Sequence, residues 1–215
     1  MKRFLVMLIF IINFNYSAHS IDLPKYYQFP ENYLKGEFQE TTKGFFLVAS
    51  QTKKDPRFKN TVVVMLEHDK KGAIGVVINK PLGKVKMLSL LKNTNIKDAV
   101  KKKLKDFETL VYSGGPLDLN KILIIHSKDY KNENTKVYKN FSFTSDFKTL
   151  ADIAEKKGPK NSLIILGVSA WTVGQLEGEI DKGSWNLSEI SQDILFQENN
   201  KKKHIMATET SFLRL

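Results

Sequence analysis

The sequence predicts an α+β domain, with strands that come first in a run and then mix irregularly with helices. Short apolar runs rich in β-branched residues recur at residues 45–49, 61–66, 73–79, 121–126 and 163–166. Such runs are the mark of strands covered on both faces. Helical spacing shows within 84–107, after Ser145 and after Trp171. The order is not the regular βαβ alternation of a doubly wound sheet. With 215 residues, 41% hydrophobic and 11% aromatic, the chain can bury the core of one domain. It has no cysteine, which removes disulfides, thiolate metal sites and cysteine nucleophiles together.

Met1-Lys2-Arg3 is a positive start, residues 4–14 are apolar apart from Asn13, and Ala18-His19-Ser20 is small at the two positions a signal peptidase reads. That layout predicts a signal peptide over residues 1–20, cleaved after Ser20, and an exported, periplasmic chain. The apolar run is too short for a bilayer core, which needs about twenty residues. No later stretch is long enough either, so no membrane span is expected after the leader. Residues 21–42, with Pro24 and Pro30, read as an irregular lead-in; residues 43–196 read as the domain, and residues 197–215 as a polar tail.

Gly44 precedes the first strand, and Asp55-Pro56 marks a turn. Residues 61–66 and 73–79 form a hairpin closed at Asp69-Lys70-Lys71-Gly72 and stopped by Pro81. Leu88 and Leu91 suggest a short helix. Ile96, Val100, Leu104 and Phe107 then make one apolar stripe, with Lys97, Lys101, Lys102, Lys103 and Lys105 on the other side. Residues 110–112 read as a strand entering Ser113-Gly114-Gly115-Pro116, and residues 121–126 as the next strand. Ser145 suits an N-cap, and Gly158-Pro159 ends the helix it starts. After the strand 163–166, Thr172 and Gln175 have the spacing of a capping box, with Trp171 and Leu176 as its hydrophobic staple. Gly183 ends that helix, and Trp185 with Ile194-Leu195-Phe196 completes the core.

The net charge is +11, from 34 basic and 23 acidic residues. Nucleic-acid binding through the lysine-rich helix is therefore an alternative. It is disfavoured because the excess is lysine, scattered beside turns, whereas bidentate base reading prefers arginine. His68 and His126 each end a predicted strand, and no spacing of histidines suits a metal. Neither a metal nor a cofactor is expected. Gly167-Val168-Ser169-Ala170-Trp171 begins like a nucleophile elbow, but Trp171 stands where that tight turn needs a small residue. A hydrolase using Ser169 or Ser113, with His126 recruited as base, is the enzymatic alternative.

Several motifs resemble one known family in order and spacing. They are Asp55-Pro56-x-Phe58, Glu67-His68, Gly72-Ala73-x-Gly75, Ile78-Asn79-Lys80-Pro81 and Gly114-Gly115-Pro116, followed by Leu166-Gly167-x-x-x-Trp171-x-x-Gly174-Gln175-Leu176-Glu177. Together they resemble the YqgE/AlgH family from about residue 43 to residue 196. The resemblance implies an α+β fold whose bifurcated mixed sheet contains a small closed barrel surrounded by helices. It implies a family whose biochemical activity is not established, which is linked to regulation without a helix-turn-helix, and whose members are typically cytosolic. A C-terminal helix usual in that family is not evident in residues 197–215. The leading expectation is a non-enzymatic binding or regulatory domain whose partner is a small molecule or a protein. Its candidate ligand surface gathers Asn79, Gly114, Gly115, Trp171, Gln175 and Glu177, polar or bare-backbone groups at places of close approach. No catalytic residue is expected.

Overall fold

Five apolar residues in a row leave a strand no solvent face, and Phe45–Ala49 (β1) is buried throughout. The computed structural model describes residues 41–91 and 97–211. The signal peptide, the lead-in up to residue 40 and Ile96 of the apolar stripe therefore lie outside the described residues. Thr41 and Thr42, expected in the lead-in, are tied to the body through His68.

β1 is followed by a 3-10 turn at Pro56–Phe58, then β2 (Val62–Asp69) and β3 (Gly72–Val77), paired as the expected hairpin with Asp69 opposite Gly72. Next come β4 (Pro81–Lys86), α1 (Met87–Leu90), α2 (Asp98–Leu104), β5 (Glu108–Ser113) and β6 (Leu117–His126). β7 (Lys136–Val137), β8 (Ser142–Thr144), α3 (Phe147–Ala154) and β9 (Ser162–Trp171) follow. The described chain closes with α4 (Gln175–Asp181), β10 (Trp185–Glu189), α5 (Gln192–Leu195) and α6 (Asn200–Glu209).

The strands run in the order β10-β1-β2-β3-β9-β6-β8-β7, and β4-β5 attaches to β9 beside β3. The sheet divides on β9: Ile164 to Leu166 pair with β5 in parallel, and Ser169 to Trp171 pair with β3 antiparallel. Alternate side chains go to opposite faces. Phe46, Val64, Ile78, Ile125 and Phe143 fill the inside of the curl. Leu47, Val63 and Met65 face out toward α4, and Val111, Ile124 and Ile164 face out toward α1 to α3. The result is a curled, mostly antiparallel half-barrel with helices around it. The resemblance implied a closed barrel, but among the described residues no ladder joins β7 to β10. Side chains around β7 reach instead to β2 and to the residue after β10. Tyr138 Oη donates to Leu66 O at 2.5 Å, Asn140 donates to Ile190 O, and Lys136 meets Glu67 at 3.3 Å.

Three local expectations are corrected. The helical reading within 84–107 begins too early, because Pro81–Lys86 is an edge strand paired with β5. An edge strand wet on one side shows no apolar run. The cap of α3 is Asp146, whose carboxylate accepts Lys148 N at 2.9 Å, and not Ser145. The cap of α4 is Gly174, not Thr172, because β9 continues through Gly167 to Trp171 and delays the helix. Half of the expected box survives, since Thr172 N donates to Gln175 Oε1 at 3.1 Å. Trp171 and Leu176 share one buried cluster, as a staple requires.

The polar tail is the largest correction. Residues 200–209 form α6, capped by Asn199, whose side chain accepts from Lys201 N and Lys202 N. Its inward face is Lys203 and Ala207, four residues apart and fully buried. His204 Nε2 donates to Ala49 O at 3.0 Å, and Ser188 Oγ meets Thr210 Oγ1 at 2.8 Å, which pins the helix to β1 and β10.

Candidate functional site

The six expected surface residues do not converge on one site. Asn79 is buried just beyond β3, where its Oδ1 accepts Val62 N at 2.9 Å and its Nδ2 donates to Asn60 O at 2.8 Å. An amide is needed there because it satisfies a donor and an acceptor of one loop at once. Through that loop it holds the Pro56–Phe58 turn, which Thr61 also grips by donating to Phe58 O.

Gly114 and Gly115 form the corner after β5. Gly114 N donates to Leu166 O at 2.7 Å, while Gly114 O accepts both Val77 N at 2.9 Å and Ser169 Oγ at 3.1 Å. The corner lies so close to β9 that a Cβ on Gly114 would stand 2.3 Å from Gly167 O. Close packing thus accounts for the glycines.

Trp171, Gln175 and Glu177 lie elsewhere, around α4. Trp171 is buried against Phe58 and Trp185, with ring centres 6.4 and 6.1 Å away. Gln175 completes its turn and donates to Glu179 Oε1 at 3.2 Å. Glu177 faces His68 Nε2 at 3.1 Å, and that hydrogen bond holds its carboxyl below the usual range. His68 Nδ1 accepts Thr42 N at 3.1 Å and lies 3.0 Å from Thr42 Oγ1. Hydroxyl, imidazole and carboxylate thus stand in the order of a nucleophilic triad. Yet the Nδ1 lone pair is occupied by a backbone amide and Thr42 is only 5% exposed, so nothing there can receive a proton from an attacking hydroxyl. The cluster latches the first described residues to the end of β2.

The alternative of a Ser169 nucleophile finds no geometry to support it. Residues 167–171 continue a strand and form no elbow, and Ser169 is 1% exposed with its hydroxyl committed to Gly114 O. His126 pairs with Ser162, seven residues earlier on the same strand, or roughly 23 Å away at strand rise. Burial pushes the His126 imidazole below its usual pKa and keeps it neutral inside the core. The lysine-rich helix packs Val100 and Leu104 into the core under α3, and pairs Lys101 with Asp98 and Lys103 with Glu155.

One member of the expected set, Gly115, does line an open cleft of about 180 Å³. Arg57, Lys80 and Ser113 are its polar walls, and Phe58, Val77, Pro116 and Leu119 its apolar ones. Arg57 is held at the turn by Asp55, whose carboxylate accepts Arg57 Nε at 3.0 Å and Nη2 at 2.7 Å. Lys80 Nζ donates to Arg57 O at 2.5 Å but has no carboxylate partner among the described residues, and desolvation pulls its pKa down. Two cations against one nearby carboxylate leave the cleft positive. Gly114 O is turned inward, and across a trans peptide the next N–H points the opposite way. The Gly115 N–H therefore points away from Val77 and Ser169, and it has no hydrogen-bond partner among the described residues.

Sequence reasoning named Gly115 and Ser113 but missed Arg57 and Lys80. Their signal was present in Asp55-Pro56-x-Phe58 and Asn79-Lys80-Pro81, motifs that read as turns until folding sets them side by side. Among the described residues no cluster of three or more His, Cys, Asp or Glu side chains suits a metal ion. No helix among them is long and apolar enough to cross a membrane.

Comparison with known proteins agrees with this architecture. The AlgH-like family (DUF179) matches residues 46–211. A UPF0301 protein of Bradyrhizobium sp. is 34% identical over 169 residues, covering 76% of this chain and 78% of its own. A UPF0301 protein of Blochmanniella floridana is 38% identical over 155 residues, covering 70% and 79%. The solution structure of the AlgH protein from Pseudomonas aeruginosa superposes with a TM-score of 0.62 at 29% identity, over 78% of this chain and 86% of that one. A crystal structure of a Corynebacterium diphtheriae protein, 17% identical with a TM-score of 0.54 over 76% of this chain and 83% of that one, shares the fold. The match runs past residue 196 and includes α6, so the chain belongs to the AlgH-like family, the YqgE/AlgH family that its motifs resemble.

Proposed function

We propose that this protein is a non-enzymatic binding domain of regulatory type, and that it binds at the cleft between the Pro56–Phe58 turn, Lys80 and the Gly114-Gly115-Pro116 corner. The observation that carries this reading is the chemistry of the walls. Two cations and a hydroxyl suit an anion, and the apolar side suits an apolar body. Among the described residues no imidazole or carboxylate lines the cleft to move a proton. Ser113 has only cationic neighbours in that lining, which gives it no general base in the neutral state.

Thermal unfolding with 4-methylpentanoate as probe tests the cleft. At ten times its dissociation constant, a ligand of the folded state adds about 1.4 kcal/mol, or roughly 3–6 °C for a domain of this size. Lys80→Ala is expected to keep its fold and lose most of that gain. An equal gain in both proteins, or none in the wild type up to about 50 mM, which would reveal any dissociation constant in the low-millimolar range, removes the cleft as the binding place.

The leader composition supports an exported protein cut behind Ser20, and an exported form is incompatible with direct control of transcription. Mass spectrometry of the native protein from a periplasmic fraction should find the mature N-terminus at Ile21. An intact Met1 in the cytosol would place it with the family's typical members.

A further inference from the structure

We propose that the cleft selects small monocarboxylates, acids with one negative charge and an apolar body of about six carbons, over phosphate esters and amino acids. This deepens the reading of the cleft as the binding place and rests on it. Charge comes first. The polar side is continuous, because Lys80 Nζ donates to Arg57 O at 2.5 Å and Ser113 N donates to Lys80 O at 2.8 Å. Asp55 balances Arg57, accepting its Nε at 3.0 Å and its Nη2 at 2.7 Å. The Lys80 ammonium, with no carboxylate partner among the described residues, is the surplus charge. A single carboxylate matches it, and the Ser113 hydroxyl on the same wall is a second donor. A phosphate monoester carries about −1.5 to −2 at neutral pH, so part of its charge would lose water without gaining a partner.

Size comes second. A dry cavity of about 150 Å³ holds one benzene ring, so a cleft of about 180 Å³ holds about six carbons. Phe58, Val77 and Pro116 offer that body apolar walls, and Leu119, 63% exposed, gives it a rim whose covering is itself a gain. The charges of the walls supply the third argument. Among the described residues no carboxylate lines the cleft. The α-ammonium of an amino acid would therefore stand beside Arg57 and Lys80 unpaired, a repulsion that selects against zwitterions.

Isothermal titration calorimetry of the full chain at pH 7 tests the inference. The probes are acetate, butanoate, hexanoate, octanoate, 4-methylpentanoate, leucine and 3-methylbutyl phosphate. Affinity should rise about fourfold for each methylene buried as far as hexanoate and then level off, because a longer chain leaves the cleft. Leucine and the phosphate ester should each bind about tenfold or more weakly than 4-methylpentanoate. Lys80→Gln, which keeps a donor for Arg57 O but no charge, should weaken every acid about tenfold. Leu119→Ala should weaken hexanoate and leave acetate unchanged. Leucine or the phosphate ester binding as tightly as 4-methylpentanoate, or affinity indifferent to chain length, overturns the monocarboxylate class. If that binding is still lost in Lys80→Gln, the cleft reading stands. Binding that Lys80→Gln leaves unchanged, or no binding of any probe up to about 50 mM, removes both.

Discussion

Replacing Gly115 by alanine should destabilise the protein by about 3 kcal/mol or more. The residue has φ 153°, a region side chains rarely enter, and a Cβ would lie 2.3 Å from Val168 C and O and 2.4 Å from Ser169 Oγ. Two of those three atoms are backbone in the strand on which the sheet divides, so they cannot move without disturbing β3, β5 and β6 together. Urea denaturation of the variant measures the effect. A change within about 0.5 kcal/mol, typical of an uninvolved surface site, would mean that β9 does not press on the corner as described. The experiment also separates two reasons for a glycine. Were it present only for ligand access, the variant would stay stable and lose binding alone.

Lys203→Met should raise stability at pH 7 by about 2 kcal/mol. Lys203 is fully buried in α6, its Nζ donates to Ile78 O at 3.0 Å, and it lies 4.9 Å from the Tyr112 ring centre. Burial without a carboxylate lowers its pKa from 10.5 to about 8. A shift of that size corresponds to about 3 kcal/mol of unfavourable charge burial, offset by about 1 kcal/mol for the hydrogen bond that methionine gives up. The pH dependence follows from the sign of the shift. Below pH 8 the lysine is protonated in both states and the penalty is full. Between about 8 and 10.5 the unfolded chain holds a proton that the folded chain has lost, so the wild type gains stability as pH rises. The advantage of the methionine variant should therefore shrink across that window and turn into a deficit of up to about 1 kcal/mol by pH 10.5, because only the hydrogen bond that it lacks then remains. Denaturation curves of both proteins at pH 7, 9 and 10.5 check it; a variant less stable at pH 7, or a difference that is flat with pH, contradicts the account.

The same lysine explains why α6 escaped the sequence reading. A helix is read from an apolar stripe, and the inward face of residues 200–209 offers only Lys203 and Ala207. β4 escaped for a related reason, being an edge strand with mostly exposed side chains. β7 and β8 have two and three residues, too few to show a period. By contrast β1 and the central parts of β2 and β3 were legible because they are buried on both faces and must be apolar at nearly every position. The candidate site was legible only in pieces. Gly114 and Gly115 stood out as glycines, while Trp171, Gln175 and Glu177 stood out as polar or aromatic groups near a helix start and proved to be packing and turn contacts.

By itself the sequence determined the class of fold, the central strands, the hairpin and the family, because burial on two faces and tight corners limit which residues can stand at each position. Only the tertiary structure decided that the sheet curls into a half-barrel, that a lysine is core, and that Arg57, Lys80 and Gly115 share one cleft. Contacts between residues far apart in the chain depend on how strands pair and how the sheet curls, and local patterns carry no record of either.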